Sequence, residues 1–334
     1  MGLVKGFGRL SGDARGTIVF IVVALAAAYL AYGIWDFKAT AVLGFMVRYS
    51  TPLALAAMCG ILCERTGVIN IGIEGQMLLG AFVAFFGATF AGITFGVAAA
   101  VLAGGVLGAF LALTAVTWRI NQIIAGTVIN ILAAGITSFF YRQGRTMKGS
   151  VPEWDIPLLS DIPLLGRVLF QNGLLTYLTF VIIIVLHVLL FRTPWGLRTR
   201  AVGEHPSAAD TVGVDVSRYR YLNVTIAGGL AGLAGALLSV EATGTFERGM
   251  TSGRGFLALA IMIMGRWRPT LAWAAALFFG LLNGLVNQLN FERVIDVPPQ
   301  FIGMLPYVLT IIVLAVFAGR VRAPAAAGQP YTKE

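Results

Sequence analysis

The sequence predicts an all-α integral membrane protein, a single transmembrane domain over residues 1–334 with about ten spanning helices. Three observations predict it. Of 334 residues 58% are hydrophobic and 12% charged, about half the charged share of a soluble domain, so the chain cannot cover a water-facing surface. The apolar residues fall in long runs, and a helix needs roughly 20 of them to cross a bilayer. The Lys and Arg residues sit in short loops between those runs, where they set orientation. A mean hydropathy of +0.85 and 41 glycines fit helices packed closely in lipid.

Taken in order, the N-terminal segment 1–15 carries Lys5, Arg9 and Arg15 ahead of an apolar run at 17–35. That run is too long for a typical signal-peptide core, and many more follow, so it reads as an uncleaved first span. The second run, 40–63, is interrupted by Arg48, Ser50, Thr51 and Pro52 and predicts a broken helix. The third to fifth runs cover 75–91, 93–116 and 121–141. A loop at 142–173, with Pro152, Pro157 and Pro163, reads as an ordered turn before the sixth run at 174–191. After the basic loop 192–220 come runs at 221–240, 254–265, 270–289 and 303–318, then a tail at 319–334. The eighth run falls well short of a span and predicts a half-length helix, which survives only where protein or a wet cavity surrounds it.

Placing basic loops inside puts both termini, Trp118–Arg119, the 192–220 loop, Arg266 and Arg268 in the cytoplasm, and the 142–173 loop outside. That outer loop conflicts with the rule, since it holds Arg142, Arg145, Lys148 and Arg167 among Glu153, Asp155 and Asp161. The net charge of +9 points to anionic lipid, because no aromatic platform for nucleic acid accompanies it. Gly72-Ile73-Glu74-Gly75 opens the third helix and Gly253-Arg254-Gly255 the eighth, each after a Gly-rich polar linker. The two linkers fall on opposite sides, as an inverted repeat of helices 2–5 and 7–10 would place them.

The sequence lacks a G-x-x-x-x-G-K-S/T phosphate loop, a G-x-S-x-G elbow and an H-E-x-x-H pair. His187 and His205 are its only histidines, and Cys59 and Cys63 share one apolar helix face as packing residues. Neither a catalytic constellation nor a metal site is predicted. The 192–220 loop holds a short helix around 206–212. Pro206 suits its first turn, Glu204 or Ser207 can cap it, Ala208, Ala209 and Val212 form a small apolar face, and Gly213 ends it. Such a helix is either a docking element or an ordinary inter-helix loop. Within the spans, Glu74 either lines a pathway or caps the third helix, with Asn70 in the same linker. Asn130, and Asn283 with Asn287 on one face of the ninth helix, either bridge helices or line a polar route. Gly228, Gly232 and Gly235 permit tight packing, and His187 reads as a core histidine.

Ala208-Ala209-x-x-x-Gly213, within Arg200-Ala-Val-Gly-Glu-x-Pro-x-Ala-Ala-x-x-x-Gly213, resembles the cytoplasmic coupling loop of ABC importer permeases of the branch serving simple sugars, nucleosides and branched-chain amino acids. Where that family carries an acid directly before Ala-Ala, this chain has Ser207. Thr51-Pro-Leu-Ala-Leu-Ala and Glu64-Arg-Thr-Gly-Val-Ile-Asn-Ile-Gly-Ile-Glu-Gly75 resemble the same branch, most closely its nucleoside permeases, and Gly265 with Arg266 and Arg268 is also similar. The resemblance implies the ten-helix type II importer fold in a bacterial plasma (inner) membrane. It implies a non-catalytic subunit without its own cofactor, and ATP and Mg held by cytoplasmic ATPase partners. A second permease, expected to be a paralogue, and an external binding protein or lipoprotein complete the assembly. It assigns Glu204, Pro206, Ser207, Ala208, Ala209, Val212 and Gly213 to ATPase coupling. Nucleosides are the expected substrate and simple sugars the alternative. An ion-coupled secondary transporter would need buried relays, for which only Glu74 and His187 offer themselves.

Overall fold

The computed structural model describes residues 39–141, 147, 151–157, 159, 160, 162, 165–292, 304, 308 and 322–333. The first apolar run lies outside them, as does the tenth apart from Met304 and Val308. The long helices are α1 (Ala39–Glu64), α2 (Ile73–Ala91), α3 (Ile93–Thr117) and α4 (Gln122–Phe140), then α6 (Leu174–Arg192), α9 (Val216–Thr243) and α11 (Pro269–Glu292). All seven are long and apolar enough to cross a membrane. The half-length helix is α10 (Arg254–Met264), and α7 (Pro194–Glu204) and α8 (Pro206–Thr211) build the basic loop. A two-stranded antiparallel ribbon, β1 (Glu153–Asp155) with β2 (Gln171–Gly173), encloses the short α5 (Leu165–Leu169). It is the ordered form of the described part of the 142–173 loop, and a small departure from an all-α chain.

One expectation is corrected. The second run is the unbroken α1, despite Pro52. The buried Ser50 and Thr51 hydroxyls both turn back to donate to the Val47 carbonyl, at 3.0 and 2.7 Å. The Ser50 and Thr51 hydroxyls are thus satisfied inside the helix, while Arg48 and Pro52 line a cavity. The eighth run is the 11-residue helix expected. At about 1.5 Å per residue α10 is roughly 16 Å long, half a hydrocarbon core of about 30 Å.

The centre is α9 against α2 and α3, flanked by α1. Both α1 and α9 are mostly buried, whereas α4 and α6 turn much of their surface outward. Exposed Ile131, Phe139 and Ile184 on these helices, with Phe90 of α2 and Leu102 of α3, form an apolar skin suited to lipid. In lipid, close backbone approach replaces hydrophobic exclusion as the packing force. A Cβ on Gly80 would lie 2.6 Å from the Gly232 Cα, and one on Gly108 3.0 Å from the Gly228 Cα. The glycine stripe of α9 therefore faces glycines of two neighbours. Gly232→Val drives a side chain into the α3 backbone and is expected to cost about 3 kcal/mol, read as a lowered Tm of the detergent-purified protein. An unchanged Tm would show that the helices can separate without penalty.

Candidate functional site

The basic end is built around α8. Pro206 occupies its first turn, and Gly213, at φ +84°, terminates it. Neither predicted cap holds: His205 takes the cap position without a side-chain bond. The Glu204 carboxylate instead accepts from the Ala325 amide at 3.2 Å and faces Arg65 Nη1 at 4.0 Å. The predicted apolar face is also split. Ala209 is buried against Val202 and Val216, while Ser207, Ala208 and Val212 point outward, with Val212 78% exposed. Neighbouring helix positions cannot share a face, so Ala208 and Ala209 do different jobs.

The C-terminal tail was missed by sequence reasoning, because Ala-Pro-Ala-Ala-Ala-Gly carries no periodicity. It straps the same end of the molecule. Ala326 N donates to Gly203 O at 2.9 Å and Gly328 N to Gly67 O at 3.0 Å. Buried Arg220 donates through Nε to Thr66 O at 3.1 Å and through Nη1 to Gln329 O at 3.0 Å. The Tyr331 hydroxyl donates to Asp210 Oδ2 at 2.9 Å, and Lys333 pairs with Asp210 at 3.3 Å. The tail thus joins α8 to the turn after α1.

Arg65 ties that turn to the far end of α10. Its Nε donates to Trp267 O at 3.2 Å and its Nη2 to Arg266 O at 3.4 Å. Burial pulls its pKa down from the usual arginine range, opposed by the Glu204 charge. Trp267 Nε1 donates to Glu64 Oε2 at 2.6 Å. Arg266 and Trp267 both have positive φ, +51° and +53°, a backbone that costs about 1–3 kcal/mol per residue and persists only where surroundings hold it.

The two helix openings paired in the sequence meet directly. Glu74 Oε1 accepts from Gly253 N at 2.8 Å, and Oε2 from Gly255 N at 2.7 Å. Glu74 therefore caps α10, not its own helix α2. A Cβ on Gly255 would lie 2.5 Å from the Glu74 Cα, so the third residue of that motif must be glycine. Asn130 accepts from Gly75 N at 2.7 Å and donates to Ile71 O at 3.0 Å, which fixes the opening of α2. Asn70 is fully buried and donates to Gln76 Oε1 at 3.0 Å, close to the Cys59 and Cys63 thiols. Asn283 donates to Phe279 O of its own helix, and Asn287 is exposed.

A second carboxylate repeats the Glu74 pattern. Glu241 of α9 accepts from Leu175 N at 2.9 Å and from the Thr176 hydroxyl at 2.5 Å, at the start of α6. Beside it, at the end remote from α8, lies a cavity of about 620 Å³ lined by α1, the start of α6, the end of α9 and the linker to α10. Asn70, Glu74, Asn130, Asn283 and Asn287 are not among its lining residues. Glu241 was not singled out in the sequence, although a lone acid closing an apolar run was a usable signal.

Long apolar helices, a half-length helix capped by a part-buried carboxylate and a short exposed helix at a basic end define a multi-pass helical membrane protein. The chain matches the family described as branched-chain amino acid transport system / permease component over residues 42–314, and it belongs to that family. It is 40% identical over 303 residues to the nucleoside ABC transporter permease protein NupC of Lactococcus lactis subsp. cremoris, covering 86% of this chain and 95% of the other. It is also 40% identical over 304 residues to the guanosine ABC transporter permease protein NupQ of Bacillus subtilis, covering 85% and 94%. A putative glucose ABC transporter permease protein of Haloferax volcanii is 34% identical over 327 residues, covering 89% and 98%.

Two outcomes follow from this geometry. Glu74→Ala removes two charge-assisted bonds and is expected to destabilise the protein by about 3 kcal/mol, with Glu74→Gln in between because its amide nitrogen opposes one N–H. Thermal unfolding in detergent measures both. Removing residues 326–334 uncovers Ala209 and takes the Gln329 carbonyl from Arg220. Trypsin is then expected to cut within 198–218 several times faster than in the full chain.

Proposed function

We propose that this chain is the permease subunit of a binding-protein-dependent, ATP-driven nucleoside importer of a bacterial plasma membrane, with the basic end in the cytoplasm. The observation that carries the reading is α8: a short helix with Ala208 and Val212 exposed, held rigidly from behind by Ala209, Asp210 and the tail. The names of the two relatives at 40% identity favour nucleosides, and the 34% relative makes a simple sugar the second reading. The partners are cytoplasmic ATPases that hold ATP and Mg, a second permease, which the nucleoside resemblance favours as a paralogue, and an external binding protein.

The mechanism follows from the anchoring. Closure of the ATPases displaces α8. Because Ala209 packs on Val202 and Val216, the displacement reaches α7 and the start of α9. Because the tail bonds Gly67, it also reaches the turn after α1. Arg65 passes it to the Trp267 turn, and α10 carries it about 16 Å inward as a rod. A proton relay at Glu74 is disfavoured, since both its oxygens are engaged by backbone amides.

The split face sharpens the test. Ala208→Arg is expected to abolish co-purification of the ATPase while the membrane part keeps its Tm. Ala209→Arg is expected to disrupt the basic loop itself and lower Tm. ATPase retained at wild-type stoichiometry by Ala208→Arg would sink the coupling assignment.

A further inference from the structure

We infer that the cavity beside Glu241 is a weak binding site within this subunit for an uncharged solute carrying a flat ring and hydroxyl groups, a nucleoside and not a nucleotide. The inference rests on the importer reading above and adds a site to it. The cavity, about 620 Å³, lies within the range of pockets that enclose small organic ligands. Its two kinds of wall match the two halves of such a solute. One wall is aromatic and apolar: the Phe45 and Tyr49 rings lie 5.7 Å apart and nearly parallel on successive turns of α1, with Met250 nearby. The other offers Thr176 and Glu241, with Arg254 at its base.

The polar groups are built in. Glu241 is fixed by its bonds to Leu175 N and Thr176. Gly173 lies so close that a Cβ there would be 2.7 Å from the Glu241 Cγ. A carboxylate has about four acceptor sites, and the bonds from Leu175 N, the Thr176 hydroxyl and the Thr176 backbone N–H leave room for a donor from a base N–H or a sugar hydroxyl. Arg254 is held over the Tyr49 ring at 5.3 Å, with Nη1 donating to Met250 O at 2.7 Å. Its Nε is buried without a hydrogen-bond partner, and the residue lines the cavity, where the remaining guanidinium N–H groups can donate to a ligand oxygen. Among the described residues, the charges that line the cavity are Arg48 and Arg254 against Glu241 and Glu247, two of each sign. A phosphate would meet Glu241 with no surplus of positive charge to offset it, whereas a neutral solute meets donors and acceptors in balance.

The base of the cavity also explains why this site belongs to the transport cycle. Ser252 and Arg254 flank Gly253, whose amide is held by Glu74, so the cavity floor is the inner end of α10. A displacement of α10 changes the floor directly.

The test uses the assembled importer, with its ATPases, second permease and binding protein, in proteoliposomes. The probe is radiolabelled guanosine. Ala242→Trp fills the cavity from an exposed lining position without removing a hydrogen-bonding side chain. It is expected to lower ATP-driven uptake at least about tenfold, with folding checked by assembly with the ATPases. Phe45→Ala and Arg254→Met are expected to raise the apparent KM about tenfold, equivalent to about 1.4 kcal/mol of lost binding. Saturation-transfer NMR on the complex without its binding protein is expected to show guanosine contact that excess guanosine 5′-monophosphate does not displace. Wild-type uptake by a correctly assembled Ala242→Trp complex, or displacement by the monophosphate, would overturn the site while leaving the importer reading intact. Absence of any ATP-driven nucleoside uptake by the wild-type complex would overturn both.

Discussion

A helix that begins inside a bilayer presents backbone N–H groups that no water can take, and the structure depends on how they are satisfied. The chain uses the same device twice. Glu74, at the start of α2, caps α10, and Glu241, near the end of α9, caps α6. In each case the carboxylate belongs to a different helix from the one it caps. A part-buried carboxylate is thereby held by aligned amides at the positive end of a helix dipole, and two distant segments are locked together. Glycines permit each approach, Gly255 against the Glu74 backbone and Gly173 against the Glu241 side chain, because a carboxylate on a short stem reaches a neighbour's backbone only when the segments nearly touch.

Most of the fold was legible in the sequence because lipid reads composition directly. The described long helices begin and end within a few residues of the apolar runs, and α10 was recognisable as half-length from its 11 residues. The exception shows what the method measures. Arg48, Ser50, Thr51 and Pro52 looked like a break because hydropathy counts polar atoms. It cannot see that two hydroxyls already bond the preceding turn.

The site was less legible, for a geometric reason. The sequence identified Glu74 and the Gly253-Arg254-Gly255 opening as separate signals. Their meeting joins residues 179 and 181 positions apart, and no local pattern encodes it. For Asn130 a bridge and a pathway role were both open; it bonds the opening of α2, and Asn283 donates to its own helix. The α8 face misled because Ala208 and Ala209 are alike in chemistry and differ only in direction. The tail gave no signal at all, since most of its bonds to the fold use backbone groups, which every sequence possesses.

The two ends of the molecule are therefore built for different tasks. At the basic end, α8, the tail, the turn after α1 and the Trp267 turn are joined by Arg220, Arg65 and a set of backbone bonds, so they move together. At the other end, α9 relaxes into a π-helical turn from Leu237 to Thr243 just where Glu241 leaves it, and the linker to α10 has positive φ at Gly249, Ser252 and Gly253. Such turns are a common place for a helix to yield. Between the ends stands α10, too short to bend appreciably and tied at both termini. In the mechanism we propose, a force at the basic end passes along α10 to the Glu74 cap, beside the opening of α2 that Asn130 pins. On that arrangement the carboxylate that makes a half-helix tolerable in lipid is also the joint through which its motion reaches the rest of the membrane domain.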